Sequence, residues 1–363
     1  MSLWPDGSYR SKIYAPSLFT LLSRGLPVYS TSGTAANATS SNYSDICTST
    51  GLPQDIIIDI SGTESGQRKN IKFAWYAEAA GAAGLYFDTS NSIGGGPIFT
   101  GIPVDYTIDV NTGAGGGDPP TTGWTNIVDM ENNVYNQREH SLGDISGANW
   151  VRIHVTTAMT STVSLKVDLF DGFQGNNVWV GVGDSRMFFG MTHLDLGIGT
   201  AAFGDIIAGI NGGSPPLQFN WGMSGYGAQD VEPLVAQWLA DFPDVTHAIV
   251  NLSINNAKAT GVNSDFTDAY TSIVTTLQGN GIIVFCETIG YATDGFGDNI
   301  PGYDSAISDI IAATGAQVGV DEYTYFLNHQ DEIGDDSIHY TATGNTGSRT
   351  RRATLAASYL ASH

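Results

Sequence analysis

The chain has 363 residues, enough for two domains, because a single apolar core rarely grows beyond about 250–300 residues. Its 14 basic and 36 acidic residues leave a formal charge of −22, which argues against a nucleic-acid partner and against docking on anionic membranes. Hydrophobic residues at 41% and charged ones at 14%, beside 45 glycines, describe a foldable and β-rich composition of the exported kind, with no apolar run near the roughly 20 residues that span a bilayer.

The first 50 residues are rich in Ser, Thr and Asn and read as an irregular arm. The opening MSLWPDGSYR has no signal-peptide pattern, while the composition leads us to expect a secreted or extracellular protein. From about residue 50 to 172, β-type runs recur at roughly 8- to 12-residue spacing. They are DIIIDIS, IKFAWYAEA, GLYFDTS, DYTIDV, WVRIHVTTA and VSLKVDLFD. Several alternate apolar and polar residues as half-buried antiparallel strands do. Loops such as SIGGGP and NTGAGGGDPPTTG separate them. Residues 1–172 are therefore expected to form an arm followed by an all-β, jelly-roll-like sandwich. Trp75, Tyr76 and Trp124 look exposed, and aromatic rings stack on sugar faces, so this half is a candidate carbohydrate-binding domain; for Trp75 a place in the core fits equally well. Of the two cysteines, Cys47 lies in a Ser/Thr-rich loop and Cys286 reads as a small buried hydrophobe, so no disulfide is expected between them.

The rhythm changes at DGFQGNN, residues 171–177, and residues 173–363 read as a second domain. VWVGV, PLQFNW, HAIVNLS, GIIVFCE and AQVGVDEY read as buried strands. Between and after them DVEPLVAQWLADF, SDFTDAYTSIVTTLQ, YDSAISDIIAAT and TGSRTRRATLAASYLA carry helical patterns. This alternation predicts a parallel sheet covered on both faces, with its ligand site beyond the carboxyl ends of the strands.

Ser185, in VGVGDSRMFFG, directly follows the first of those strands. A serine at a strand-to-helix turn can attack an acyl carbon while its own free N–H faces the developing oxyanion. Gly183-Asp184-Ser185 also reads as an ordinary polar turn or helix cap. The base such a hydroxyl needs is suggested by DDSIHYTATGN. Three positions separate Asp336 from His339, which lets the carboxylate reach Nδ1 and leaves Nε2 outward; an exposed polar loop would look alike. His193 and His329 lack a matching Asp, His247 heads a strand, and His140 and His154 belong to the β half. Gly225 in QFNWGMSGYG and Asn255 in NLSINNA follow the second and third strands and offer a backbone N–H and a side-chain amide. Taken singly they read as a turn glycine and a loop cap.

In that order the four stretches resemble the SGNH, or GDSL-type, hydrolase superfamily. Gly183-Asp184-Ser185-Arg186 is similar to its nucleophile block, and Asn220–Gly225 to its second block. Ser253-Ile254-Asn255-Asn256 follows the third block, with Ser and Asn where Gly and Asp are usual, and Asp336-Ser337-Ile338-His339 matches the last. Arg186 stands where Leu is usual. The resemblance covers about residues 177–361 and implies a flavodoxin-like three-layer α/β/α fold. It also implies Ser185 as nucleophile, His339 as base and Asp336 as its orienting carboxylate. The N–H groups of Ser185 and Gly225, with the Asn255 amide, would hold the oxyanion. No metal or other cofactor is required, and no zinc-like Cys/His spacing occurs. The function expected is a serine carboxylic-ester hydrolase working through an acyl-enzyme, with acetylated polysaccharide as preferred substrate. A short-chain or lipase-like carboxylesterase is the near alternative, and a catalytically degenerate surface-binding protein the distant one. Oligomeric state is left open.

Overall fold

The computed structural model describes residues 22–23, 25–39, 47–77, 101–133, 137–172, 177–190, 203–213, 215–223, 225–259, 261–293 and 297–363. They form two compact units that divide between residues 174 and 175.

The first unit is built from β1 (Val28–Ser30), β2 (Cys47–Thr50), β3 (Gln54–Asp59), β4 (Ile71–Ala77), β5 (Pro103–Asn111), β6 (Thr125–Met130), β7 (Gln137–Gly143), β8 (Trp150–Ala158) and β9 (Thr162–Asp171). These make two sheets, ordered β1-β3-β8-β5-β6 and β2-β9-β4-β7, and every pairing is antiparallel. Side chains alternate between the faces of a strand, so one register sends a whole apolar set inward. Ile56 pairs with Ile153 and Ile58 with Val151 in one sheet. Phe73 pairs with Leu169 and Trp75 with Val167 in the other. All eight join a single apolar core shared by both sheets, each such buried side chain stabilising the fold by about 1.5–3 kcal/mol.

Trp75 is fully buried and meets Tyr106 edge-on at 5.5 Å. It is a core residue, and the expectation of an exposed sugar platform there is corrected. Trp124 is half-buried, with Arg152 stacked 4.4 Å over its ring. The side chain of Tyr76, the run GLYFDTS and the loop SIGGGP lie outside the described residues. The first 50 residues are not irregular throughout, since β1 pairs with β3 and β2 with β9. Cys47 and Cys286 are both buried free thiols.

In the second unit the order is β10 (Val178–Gly183), α1 (Ser185–Gly190), α2 (Phe203–Asn211), β11 (Leu217–Gly222), α3 (Ala228–Asp241), β12 (His247–Asn251), α4 (Ile254–Ala259), α5 (Ser264–Gly279), β13 (Ile283–Cys286), α6 (Ile300–Thr314), β14 (Gln317–Val318), α7 (Glu322–Asn328) and α8 (Ala342–Ser362). The five strands are all parallel and lie side by side as β11-β10-β12-β13-β14. Counted from β10 this is the order 2-1-3-4-5 of the flavodoxin-like α/β fold. Trp179, Ile249 and Phe285 of the sheet pack with Met187, Phe203 and Ile207 and with Ala353, Ala356 and Ala357 of α8. Another helical layer contains α3, α5 and α6, which bury Val235, Phe266, Ile273 and Ile307. The stretch AQVGVDEY pairs only over β14, and α7 begins inside it, capped by Asp321, which accepts the Thr324 N–H at 3.0 Å. Among the described residues no helix is long and apolar enough to cross a membrane.

The chain leaves β10 towards β11 on one side and returns to β12 on the other. Those two connections part at the carboxyl ends of β10 and β12, the place where ligand sites of such sheets lie. The stretches that begin with Ser185 and Ser253 both start there.

Candidate active site

Gly183 ends β10. A Cβ there would run into the Asn251 carbonyl at the end of β12 and into the Met187 side chain, so only glycine lets the strand ends close. Asp184 is completely buried. Its Oδ1 accepts the Arg186 N–H at 3.0 Å and so caps α1. Its Oδ2 accepts the N–H groups of Ser253 and Ile254, each at 3.3 Å, and ties the turn after β10 to the turn after β12. Burial pushes the Asp184 carboxyl up, against the pull of the Arg186 N–H, the Arg186 charge and the two N–H groups of the β12 turn. Ser185, first residue of α1, is 4% exposed.

His339 Nε2 lies 2.7 Å from Ser185 Oγ, across 154 positions of sequence. His339 Nδ1 lies 2.5 Å from Asp336 Oδ2. Oδ1 of the same carboxylate accepts the backbone N–H groups of Ile338 at 3.0 Å and His339 at 2.8 Å. The turn between them places Ser337 at φ 65°, and the Gly334 N–H closes it by donating to the His339 carbonyl at 2.7 Å. Burial works against ionisation of Asp336, yet the bonds from the His339 ring and the two backbone N–H groups hold its carboxyl down at about 2. An ionised carboxylate only accepts. Nδ1 is therefore the protonated nitrogen of the neutral ring, and Nε2 turns its lone pair to the Ser185 hydroxyl.

Asn255 Nδ2 donates to the Tyr226 carbonyl at 2.9 Å, which joins the turn after β12 to the loop after β11. That loop is also fastened to the turn after β10, because Met223 N–H donates to the Gly183 carbonyl at 2.7 Å. Gly225 is exposed at φ 83°, and its N–H has no partner among the described residues. Neither Gly225 nor Asn255 hydrogen-bonds Ser185; Gly225 stands in the loop after β11 and Asn255 in the first turn of α4. Asn256 accepts the Ala228 N–H at 2.9 Å and donates to Gln229 at 2.7 Å, bracing the start of α3 without a charge.

The other histidines are occupied elsewhere. His247 stacks on Trp179 at 4.3 Å, and burial lowers its pKa to about 4. His140 is paired with the Tyr106 hydroxyl at 2.8 Å, and burial with the nearby Arg138 charge lowers it to about 3. His154 meets Asp55 at 2.6 Å, and His329 stacks on Tyr325 at 4.0 Å. His193 lies outside the described residues. Among the described residues no three His, Cys, Asp or Glu side chains cluster as metal ligands would.

Two residues of this region carry more than the sequence reading assigned them. Asp184 looked like a turn residue and is a buried tie. Arg186 looked like a bare departure from Leu, and it is 1% exposed with its guanidinium directed at the Asp336–His339 loop. The available signal was an arginine inside the apolar run VGVGDSRMFFG, where a charge demands buried partners.

No known family pattern and no curated protein matches the chain. Solved structures do resemble it. The psychrotrophic esterase EstA from Pseudoalteromonas sp. is 16% identical with a TM-score of 0.43, covering 51% of this chain and 99% of its own. The acetylxylan esterase Axe2 from Geobacillus stearothermophilus is 15% identical at a TM-score of 0.40, covering 51% and 94%. Both likenesses fall on the C-terminal half. Protein YXIM from Bacillus subtilis, 12% identical with a TM-score of 0.46, is similar over 99% of this chain and 96% of its own.

Proposed function

We propose that the second unit is an SGNH-type serine esterase, with Ser185 as nucleophile, His339 as general base and Asp336 as the carboxylate that orients it. The observation that carries this reading is the unbroken line from Asp336 Oδ2 through His339 to Ser185 Oγ, with links of 2.5 and 2.7 Å. Ser185 Oγ attacks the ester carbonyl as its proton passes to His339 Nε2. The same proton then goes to the departing alcohol, leaving an acyl-enzyme. Water, deprotonated by His339, releases the acid and restores the serine. The backbone N–H groups of Ser185 and Gly225, with the Asn255 amide, are the donors proposed for the oxyanion, each such donor being worth about 3 kcal/mol in the transition state.

An acetyl group on a polysaccharide is the proposed substrate. What supports it is a polar strand face in the first unit, where Trp124 stacks with Arg152 and His154 pairs with Asp55, and which suits sugar rings better than lipid chains.

Turnover of p-nitrophenyl acetate tests the reaction. Ser185→Ala is expected to lower kcat by about 10³-fold or more. The wild-type kcat/KM is expected to fall as pH drops and the His339 imidazole takes up a proton. Asp336, held at about 2, stays ionised through that range and adds no second inflection. Equal, negligible rates in both proteins would favour a surface-binding protein instead. A kcat/KM flat from neutrality down to about pH 4 would remove His339 as the base.

A further inference from the structure

We infer that Arg186 is a positioning residue, a buried fork that holds the His339 loop in register with the Ser185 hydroxyl. This rests on the reading of Ser185 and His339 as the reacting pair and adds a residue that acts through them. The geometry is direct. Arg186 follows the nucleophile in sequence, and its Nε donates at 2.9 Å to the carbonyl of Ile338, the residue just before the base. Nη1 donates to the Gly290 carbonyl and Nη2 to that of Tyr291 at 3.1 Å. The guanidinium carbon lies 4.8 Å over the ring of Tyr340, the residue just after the base. One side chain thus grips both sequence neighbours of His339 and is anchored to the turn after β13.

That turn is itself joined to the base loop, since the Thr293 N–H donates to the Ser337 carbonyl at 3.2 Å. Gly290 has no room for a side chain, because a Cβ would strike the Tyr340 hydroxyl. The packing around the guanidinium is therefore close and leaves it little freedom.

Such a clamp answers a need specific to this site. The side chains of His339 and Asp336 are 36% and 52% exposed, so the two side chains themselves gain little from apolar packing, while Tyr340 beside them packs with Phe326 and Ile333. Their bonds to one another fix the ring relative to its own loop, not relative to Ser185. The Arg186 Nε bond to the Ile338 carbonyl runs from α1 to that loop, beside the Ser185–His339 contact itself. A planar fork with donors in fixed directions suits three carbonyls; a lysine ammonium cannot serve all three in one plane.

The test compares wild type with Arg186→Met and Arg186→Lys by melting temperature, by kcat and KM on p-nitrophenyl acetate, and by crystal structures. Arg186→Met is expected to fold and to lose about 100-fold in kcat, with KM within about twofold. Its His339 Nε2–Ser185 Oγ separation should open beyond about 3.5 Å. Arg186→Lys is expected to recover part of the loss and remain about tenfold below wild type. A folded Met variant that keeps both kcat and the 2.7 Å contact would overturn the inference, as would a loss that appears wholly in KM. If the Met variant does not fold, the Lys variant decides alone, and an unchanged kcat and separation in it overturn the need for the fork. Should wild type itself be inert, the esterase reading falls, while the separation in the variant structures still judges Arg186.

Discussion

Ser253 stands at φ 137°, a backbone region that glycine enters freely and a side chain enters under strain. The third block of the resembled superfamily has glycine at this position. The strained conformation aims two successive N–H groups, those of Ser253 and Ile254, at Asp184, and the Ser253 hydroxyl is left buried without a partner. Ser253→Gly relieves the strain and removes the stranded hydroxyl, while giving the unfolded chain more freedom. Since strain at such a site costs about 1–3 kcal/mol and the added freedom about 0.4–1 kcal/mol, the variant should be more stable by about 1 kcal/mol. A rise in the urea midpoint with unchanged slope checks this; a fall would mean that the hydroxyl is used. At this scale the sequence was most readable where partners are close. Asp336 and His339 sit three apart, so their pairing follows from local geometry. Asp184 and Arg186 were misread because their partners are main-chain groups 69 to 152 positions away. A backbone carbonyl or N–H has no letter in a sequence.

The elements follow the same logic. Runs with a clear period were readable: WVRIHVTTA is β8 residue for residue, and SDFTDAYTSIVTTLQ differs from α5 by one. β7, reading QREHSLG, was not, because Arg138, Glu139 and His140 are buried there as polar groups and erase the alternation. β1, β2 and β6 were missed because all three lie at sheet edges, where pairing comes from backbone groups rather than side-chain pattern, and β1 and β2 are also short. α8 was found from its alanines, but its polar centre conceals a buried contact. Arg352 and Glu287 are both fully buried, with Arg352 Nε 2.9 Å from each carboxylate oxygen and Nη2 2.7 Å from Oε2. The pair bolts α8 to the end of β13, and Asn251 at the end of β12 adds a third tie at 2.9 Å. Arg352→Leu would strand the Glu287 carboxylate in the interior, at a cost of about 3–5 kcal/mol. Replacing Glu287 by Met in the same protein should restore much of that loss, because the carboxylate that Arg352 compensated is then gone. Urea unfolding of the single and double variants decides it, and a double variant as unstable as the single would show that the pair holds α8 through more than charge compensation.

For the molecule as a whole, the net charge of −22 lies almost entirely at the surface. Among the described residues seven basic side chains are buried, Arg68, Lys72, Arg138, Lys166, Arg186, Arg349 and Arg352, but so are the eight carboxylates of Asp59, Asp109, Glu139, Asp168, Asp171, Asp184, Glu287 and Glu322, so burial leaves the excess of acid in place. The surface that solvent meets is accordingly dominated by carboxylates, and around the candidate site Asp331, Asp335 and Asp336 are exposed in the segment leading to His339. Such a field repels polyanions over about a Debye length, roughly 30 Å at 0.01 M salt and 8 Å at 0.15 M. The parallel sheet brings the proposed reacting groups together, and the field is expected to bias what reaches them. An acetylated polysaccharide built from uronic acids should therefore be a poor substrate at low ionic strength, and its kcat/KM should rise by about threefold or more as salt is raised from about 10 to 150 mM. An acetylated neutral xylan and p-nitrophenyl acetate carry no charge for the field to act on, and their kcat/KM should stay level over the same range. Acetate release from the two polymers, matched for acetyl content, makes the comparison. Equal salt dependence for both would mean that the carboxylates around His339 do not face the path of the incoming chain, and an opposite dependence, with the acidic polymer losing rate as salt is added, would mean that a basic approach surface outweighs them.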